Sequence, residues 1–240
     1  MHAPRPFTID TPDETLAADR LDAASGIRCL LLHGAGTSHR GRWLAVRQAL
    51  AARGIGSLAI DFSGHGESSA RTPNSLAKRH AEAAAALSCL DTDGPRSVIG
   101  ISMSGEIAVR LACDPRHRIG HLVTVVGAAY DEAAFATPFG PAFSAQIRRE
   151  QSWRRSRVFR DIAAFRGRMT LVRAGHDQVI PPEIAATLQA NAAQAQDARI
   201  VDLPGAGHML SVQAAQDAAL MARLCAVLAE AVGAPGTAAA

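Results

Sequence analysis

The chain has 240 residues, of which 48% are hydrophobic, 20% charged and 4% aromatic. These proportions exclude global disorder, and a chain of this length buries enough core to need no disulfide staples. A net charge of +3 with so few aromatics excludes nucleic-acid binding unless the basic residues form a stripe. In chain order, Met1 to Asp10 carry Pro4 and Pro6 and no apolar run, unlike a signal peptide. Residues 5–22 are expected to supply one or two antiparallel edge strands. Short, continuously apolar runs follow at 27–32, 57–61, 96–100, 121–127, 169–174 and 199–203. Continuous rather than alternating apolarity predicts strands covered on both faces, as in a parallel sheet. Amphipathic stretches at 40–53, 75–90, 103–113, 182–196 and 211–232 predict the helices between them. The fold class is therefore α/β, a mostly parallel, doubly wound sheet in a single domain over residues 1–240.

One segment breaks the alternation. Residues 128–168 are longer than a single crossover and hold Tyr130, Phe135, Phe139, Phe143, Trp153, Phe159 and Phe165. They read as a helical cap inserted over the carboxyl end of the sheet, where open α/β sheets bind ligands. A plain helix with a long loop is the alternative. The tail at 233–240 is expected to be disordered. Cys29, Cys89, Cys113 and Cys225 have neither metal-ligand nor redox spacing, and their apolar neighbours suggest small buried hydrophobes. Reduced thiols fit a cytoplasmic location. No stretch approaches the ~20 apolar residues of a membrane span.

Chemistry begins with Gly100-Ile101-Ser102-Met103-Ser104-Gly105, which follows a predicted strand and opens a predicted helix. A serine there sits on a sharp turn with its hydroxyl above the sheet edge, and the helix amino end favours developing negative charge. Alone, the string also fits a plain small-residue turn, and Ser104 stands where a second glycine is usual. A serine nucleophile needs a base and the base needs a carboxylate. His208, in Gly205-Ala206-Gly207-His208-Met209, follows the last predicted strand, and Asp177, in Gly175-His176-Asp177-Gln178-Val179-Ile180-Pro181, follows the one before it. Singly, these read as a surface histidine and a helix cap. The order Ser102, Asp177, His208, each after a late strand, is what makes the set specific. His33-Gly34-Ala35-Gly36 follows the first core strand, so Ala35 and Met103 are assigned the backbone N–H groups of an oxyanion hole. Neither a dinucleotide-binding nor a P-loop glycine pattern is present.

With these motifs and Asp61-Phe62-Ser63-Gly64-His65-Gly66-Glu67-Ser68, the sequence resembles the α/β-hydrolase superfamily from His33 to about Leu228. The Asp61 to Ser68 turn is similar to that of feruloyl-esterase-like and monoacylglycerol-lipase-like members. The resemblance implies a serine esterase or thioesterase acting on a small-molecule substrate through an acyl-serine intermediate, with no cofactor and no metal. Carbon–carbon hydrolysis on the same triad and a non-catalytic binding protein on the same fold are the alternatives. Haloalkane dehalogenation and epoxide opening are disfavoured, since those relatives carry aspartate at the nucleophile turn. Asp131 and Asp61 compete with Asp177 for the acid role, and Asp177 is preferred for its Gly-x-Asp and Val-Ile-Pro surroundings. His33, Tyr130, Phe135, Phe139 and Trp153 are expected to line a substrate pocket. Arg148, Arg149, Arg154, Arg155, Arg157 and Arg160 form either a solvated face or a rim that attracts anionic substrates.

Overall fold

A computed structural model describes residues 2–233; the expected disorder of the tail concerns residues that, after Gly233, lie outside the described ones. Eight strands, β1 (Arg5–Asp10), β2 (Thr15–Leu21), β3 (Ile27–Leu32), β4 (Gly56–Ile60), β5 (Arg96–Ile101), β6 (Ile119–Val125), β7 (Arg168–Ala174) and β8 (Asp197–Leu203), form one sheet. Their order is β1-β2-β4-β3-β5-β6-β7-β8. The first two strands form an antiparallel hairpin and β2 runs antiparallel to β4; every later pairing is parallel. From β3 the chain steps one way to β4 and then crosses back to β5. The loops leaving β3 and β5 therefore diverge over a crevice at the carboxyl edge, the position at which such sheets bind ligands.

The continuous apolar runs have a simple cause. On β3, Leu30 and Leu32 face one core layer while Cys29 and Leu31 face the other. On β5, Val98 and Ile99 divide in the same way. Both faces are covered, so alternate residues gain nothing by being polar. Helices α1 (Leu44–Ala51), α8 (Leu210–Gln216) and α9 (Ala218–Val232) cover one face. Helices α2 (Leu76–Leu87), α3 (Ser104–Cys113) and α7 (Pro182–Asn191) cover the other. Three short helices, α4 (Glu132–Phe135), α5 (Pro141–Ile147) and α6 (Val158–Asp161), lie between β6 and β7. Among the described residues no helix is long and apolar enough to cross a membrane.

Three local expectations need correction. The helix predicted over 211–232 is two helices, because Asp217 caps the second: its Oδ1 accepts from the amides of Ala219 (2.9 Å) and Leu220 (3.0 Å). The helix predicted to reach residue 196 stops at Asn191, whose side chain donates to the Phe159 carbonyl at 2.8 Å. The cysteines are not uniformly buried. Cys29 and Cys225 are, but Cys89 is exposed in the turn that ends α2, where its apolar sequence neighbours do not cover it.

Candidate active site

The chain turns sharply between the end of β5 at Ile101 and the start of α3 at Ser104. Ser102 occupies the left-handed region, at φ +50°, a conformation that costs a non-glycine residue on the order of 1 kcal/mol. Its surroundings hold it there. The Ser102 amide donates to Val125 O at 2.9 Å, and its carbonyl accepts from Gly105 (2.8 Å) and Ala128 (2.9 Å). Two glycines are obligatory on steric grounds. A methyl group at position 100 would stand 2.2 Å from Ser104 O, and one at position 105 would stand 2.6 Å from Gly127 Cα. Position 104 has room for a side chain: Ser104 is fully buried and its hydroxyl donates to His33 O at 2.5 Å. The serine that departs from the usual motif thus ties the elbow to the loop after β3.

Ser102 Oγ donates to His208 Nε2 at 3.0 Å, and His208 Nδ1 donates to Asp177 Oδ2 at 2.9 Å. This pattern requires the proton on Nδ1 and leaves the Nε2 lone pair free for the serine proton. The other Asp177 oxygen accepts from the amides of Val179 (2.8 Å) and Ile180 (3.0 Å), which fixes the carboxylate plane. The acid and base loops are joined by backbone bonds, Gly175 N–H to Leu203 O (3.0 Å) and His176 N–H to Ala206 O (2.8 Å). Gln213 of α8 adds a third tie, accepting from Gly207 N–H at 2.8 Å. Sequence reasoning missed Gln213, since a glutamine on an amphipathic helix carries no local signal. The Asp177 side chain is 7% exposed and that of His208 17%, so the pair is largely shielded, with His208 and Ser102 both lining one cleft.

The loop after β3 closes the opposite wall. A methyl group at position 34 would stand 3.2 Å from Ser102 Cβ, so glycine admits the close approach. His33 is buried; its Nε2 accepts from Phe62 N–H at 3.1 Å and its Nδ1 donates to Gly34 O at 2.7 Å. Burial, reinforced by the neighbouring Arg79 charge, holds its imidazole well below the ordinary range and hence neutral. The amides of Ala35 and Met103 have no protein acceptor among the described residues. Both residues flank Ser102, Met103 immediately before α3 and Ala35 on the exposed loop. A cleft of about 250 Å³ beside Ser102 is lined by Gly34, Ala35, His208, Met209, Ser38 and Arg42, among others.

The rival carboxylates are engaged elsewhere. Asp131 caps α4 through Ala133 N–H (3.1 Å) and pairs with Arg155 Nε at 2.7 Å. Asp61 pairs with Arg40 and accepts from Glu67 N–H at 3.1 Å. The aromatic residues expected at the pocket pack against the hydrophobic core. Tyr130 and Phe139 meet Phe143, Phe135 stacks on Arg110, and Trp153 meets Phe159. None of the four lines the cleft beside Ser102, and His33 lies beneath it as a buried support. Of the segment's arginines, Arg155, Arg157 and Arg160 pair with Asp131 or Asp161, and Arg154 lies over Trp153. Among the described residues, no His, Cys, Asp and Glu side chains group in a way that could hold a metal ion.

Solved structures with the same fold include a thioesterase domain from the curacin biosynthetic pathway. It is 20% identical with a TM-score of 0.71, over 94% of this chain and 99% of that one. A monoacylglycerol lipase from Paleococcus ferrophilus is 17% identical, TM-score 0.69, over 90% and 97% of the two chains. A hydrolase from Pseudomonas aeruginosa PA01 is 21% identical, TM-score 0.68, over 96% and 99%. At such identities the likeness is one of fold. No curated protein matches the sequence. The family model described as the alpha/beta hydrolase family matches residues 29–170, a span that includes the loop after β3 and the turn at Ser102. The chain belongs to the alpha/beta hydrolase family.

Proposed function

We propose that this chain is a serine hydrolase that cleaves a carboxylic ester or thioester through an acyl-serine intermediate. The observation that carries the reading is the unbroken relay from Asp177 through His208 to Ser102 Oγ, at 2.9 and 3.0 Å. Ser102 Oγ attacks the carbonyl carbon while its proton passes to His208 Nε2. The carbonyl oxygen takes up the negative charge between the amides of Ala35 and Met103. The bond to the alcohol or thiol then breaks, and His208 returns its proton to that leaving group. Water repeats the sequence: its proton goes to His208, its oxygen to the acyl carbon, and Ser102 is regenerated with release of the acid. Asp177 holds the ring through Nδ1 and offsets the imidazolium charge. The solved structures named for thioester and monoacylglycerol substrates lend the reading its two substrate classes.

The test is hydrolysis of p-nitrophenyl esters of increasing acyl length beside acyl-coenzyme A thioesters, with wild type and Ser102→Ala. Turnover of either class, lost in a Ser102→Ala protein with unchanged circular dichroism, is expected. Full activity in Ser102→Ala sinks the nucleophile assignment, and ligand binding without turnover of any acyl substrate moves the chain to a binding role.

A further inference from the structure

The mechanism leaves one large buried group unused. Arg79, on α2, is 1% exposed and sits directly behind the loop that follows β3. No carboxylate lies within ion-pair distance of it among the described residues; its Nε has no partner. Burying a guanidinium this way costs several kcal/mol unless its hydrogen bonds and surroundings compensate. Its head spans two acceptors. Nη1 donates to Gly34 O at 3.2 Å and Nη2 donates to His65 Nε2 at 2.9 Å. His65 can accept because its Nδ1 donates to Ser63 O at 3.1 Å. The faces of Phe62 and Phe139 lie 4.8 and 5.4 Å from the guanidinium carbon, a partial compensation for lost water. Burial lowers its pKa to about 10, which leaves it a cation at neutral pH.

The acceptor at Nη1 matters because Gly34 C=O and Ala35 N–H belong to one peptide group. Two donors converge on that carbonyl oxygen, His33 Nδ1 at 2.7 Å and Arg79 Nη1 at 3.2 Å. Donation to an amide oxygen draws electron density from its N–H, and hydrogen bonds in series strengthen one another. A charged donor does this more strongly than a neutral one. The two bonds also stop the peptide from rotating its N–H away from the cleft.

We propose that Arg79 is a positioning residue that orients and polarises the Gly34–Ala35 peptide, making the Ala35 amide a stronger oxyanion donor. The inference rests on the serine hydrolase reading. The positive charge behind the loop adds to the same effect, since a preorganised field in a water-poor layer acts where the oxyanion develops.

A fluorophosphonate probe tests this without knowledge of the natural substrate. Ser102 Oγ bonds to phosphorus, fluoride leaves, the proton goes to His208, and charge builds on the phosphoryl oxygen in the same hole. The second-order inactivation rate is measured for wild type, Arg79→Gln, Arg79→Met and Arg79→Lys, each at a temperature where circular dichroism shows it folded. Removing a whole oxyanion donor costs a hundredfold or more, so weakening one is expected to slow the Gln and Met variants by about tenfold. Arg79→Lys keeps the charge but offers one head for two acceptors, so its rate falls between them and wild type. On p-nitrophenyl acetate the loss appears in kcat, with KM unchanged. Folded Gln and Met variants that label at the wild-type rate overturn the proposal. If those two do not fold, the Lys variant decides it: a wild-type rate with an unmoved Ala35 amide proton resonance overturns it. A wild-type chain that takes no label at Ser102 removes the underlying reading, and this inference with it.

Discussion

The loops at the carboxyl edge of the sheet and the segment between β6 and β7 are built on opposite terms. The turn at Ser102 and its surroundings leave little freedom: Ser102 sits at φ +50°, a methyl group at Gly100 or Gly105 would collide with neighbouring backbone, and one at Gly34 would press on Ser102 Cβ at 3.2 Å. Beyond Val126, which turns out of β6 at φ +45°, the segment is cohesive, and it enters the left-handed region at Gln151 (φ +49°), which is exposed. Phe139 and Phe143 stack edge-on at 4.8 Å, and buried Glu106 ties the segment to α3, accepting from Tyr130 N–H (3.1 Å) and Ser156 Oγ (2.8 Å). Strain and steric closeness gathered around Ser102, with side-chain cohesion in the segment, is the division expected between a site and its support. Residues in the first region should therefore govern rate, and residues in the second stability.

The sharpest way to break that division is to exchange the two carboxylates. Asp177→Asn should lower kcat by a factor on the order of 10⁴, the loss seen in the type case of the triad. Asp131→Asn should leave kcat nearly unchanged and lower the melting temperature, since Asp131 caps α4 and pairs with Arg155. The reverse ranking in steady-state kinetics would place the acid after β6.

A second pair contrasts backbone with packing. Gly105→Ala forces apart the elbow and Gly127, and displacement of a nucleophile by about 1 Å is expected to cost about a hundredfold in kcat. Phe143→Ala should remove about 3–5 kcal/mol of stability on denaturant titration while the folded protein keeps its kcat. Equal kinetic losses from both would erase the distinction.

The segment also carries a pH dependence. His80 of α2 packs edge-on to Phe135 at a ring separation of 6.2 Å, and burial, then the charge of Arg110, lowers its pKa to about 4. An unfolded histidine takes up its proton near 6.5. Below that pH the unfolded chain binds a proton that the folded one refuses, so the contribution of His80 to stability falls from about pH 6.5 down to about pH 4 and is flat above. The shift corresponds to about 3 kcal/mol. Denaturant titrations of wild type and His80→Phe should diverge over that window and run parallel above it; parallel curves throughout would show that His80 titrates freely.

Much of this was legible before the structure because it follows from chemistry. The strand runs were readable because both sheet faces are covered. The grouping of Ser102, Asp177 and His208 was readable because each follows a strand end in a glycine-bearing loop. What stayed hidden depends on partners distant in sequence. Nothing local marks Gln213 as the tie on Gly207 or Ser104 as the donor to His33 O. An aromatic residue reads alike as core or pocket wall, so Tyr130, Phe135, Phe139 and Trp153 could not be placed by sequence alone. The arginines likewise needed their partners: those of the segment mostly meet carboxylates or an aromatic face, whereas the Arg42 guanidinium in the cleft donates only to Thr37 Oγ1, at 3.0 Å, among the described residues. The smallest expected effect follows from that contrast. An anionic ester should lose kcat/KM with added salt more steeply than a neutral one. Arg42→Gln should remove the difference, while charge reversal at Arg154 and Arg155 should leave it. If only the second pair matters, the segment is the electrostatic rim after all.

Activation of Ser102 as a nucleophile through His208 can be read from mass mapping of the fluorophosphonate adduct. A single modified peptide containing Ser102 is expected, with no label in Ser102→Ala and labelling slowed by several orders of magnitude in His208→Ala. A label at Ser104 or at any other serine, or no label on a folded wild-type chain, would contradict it.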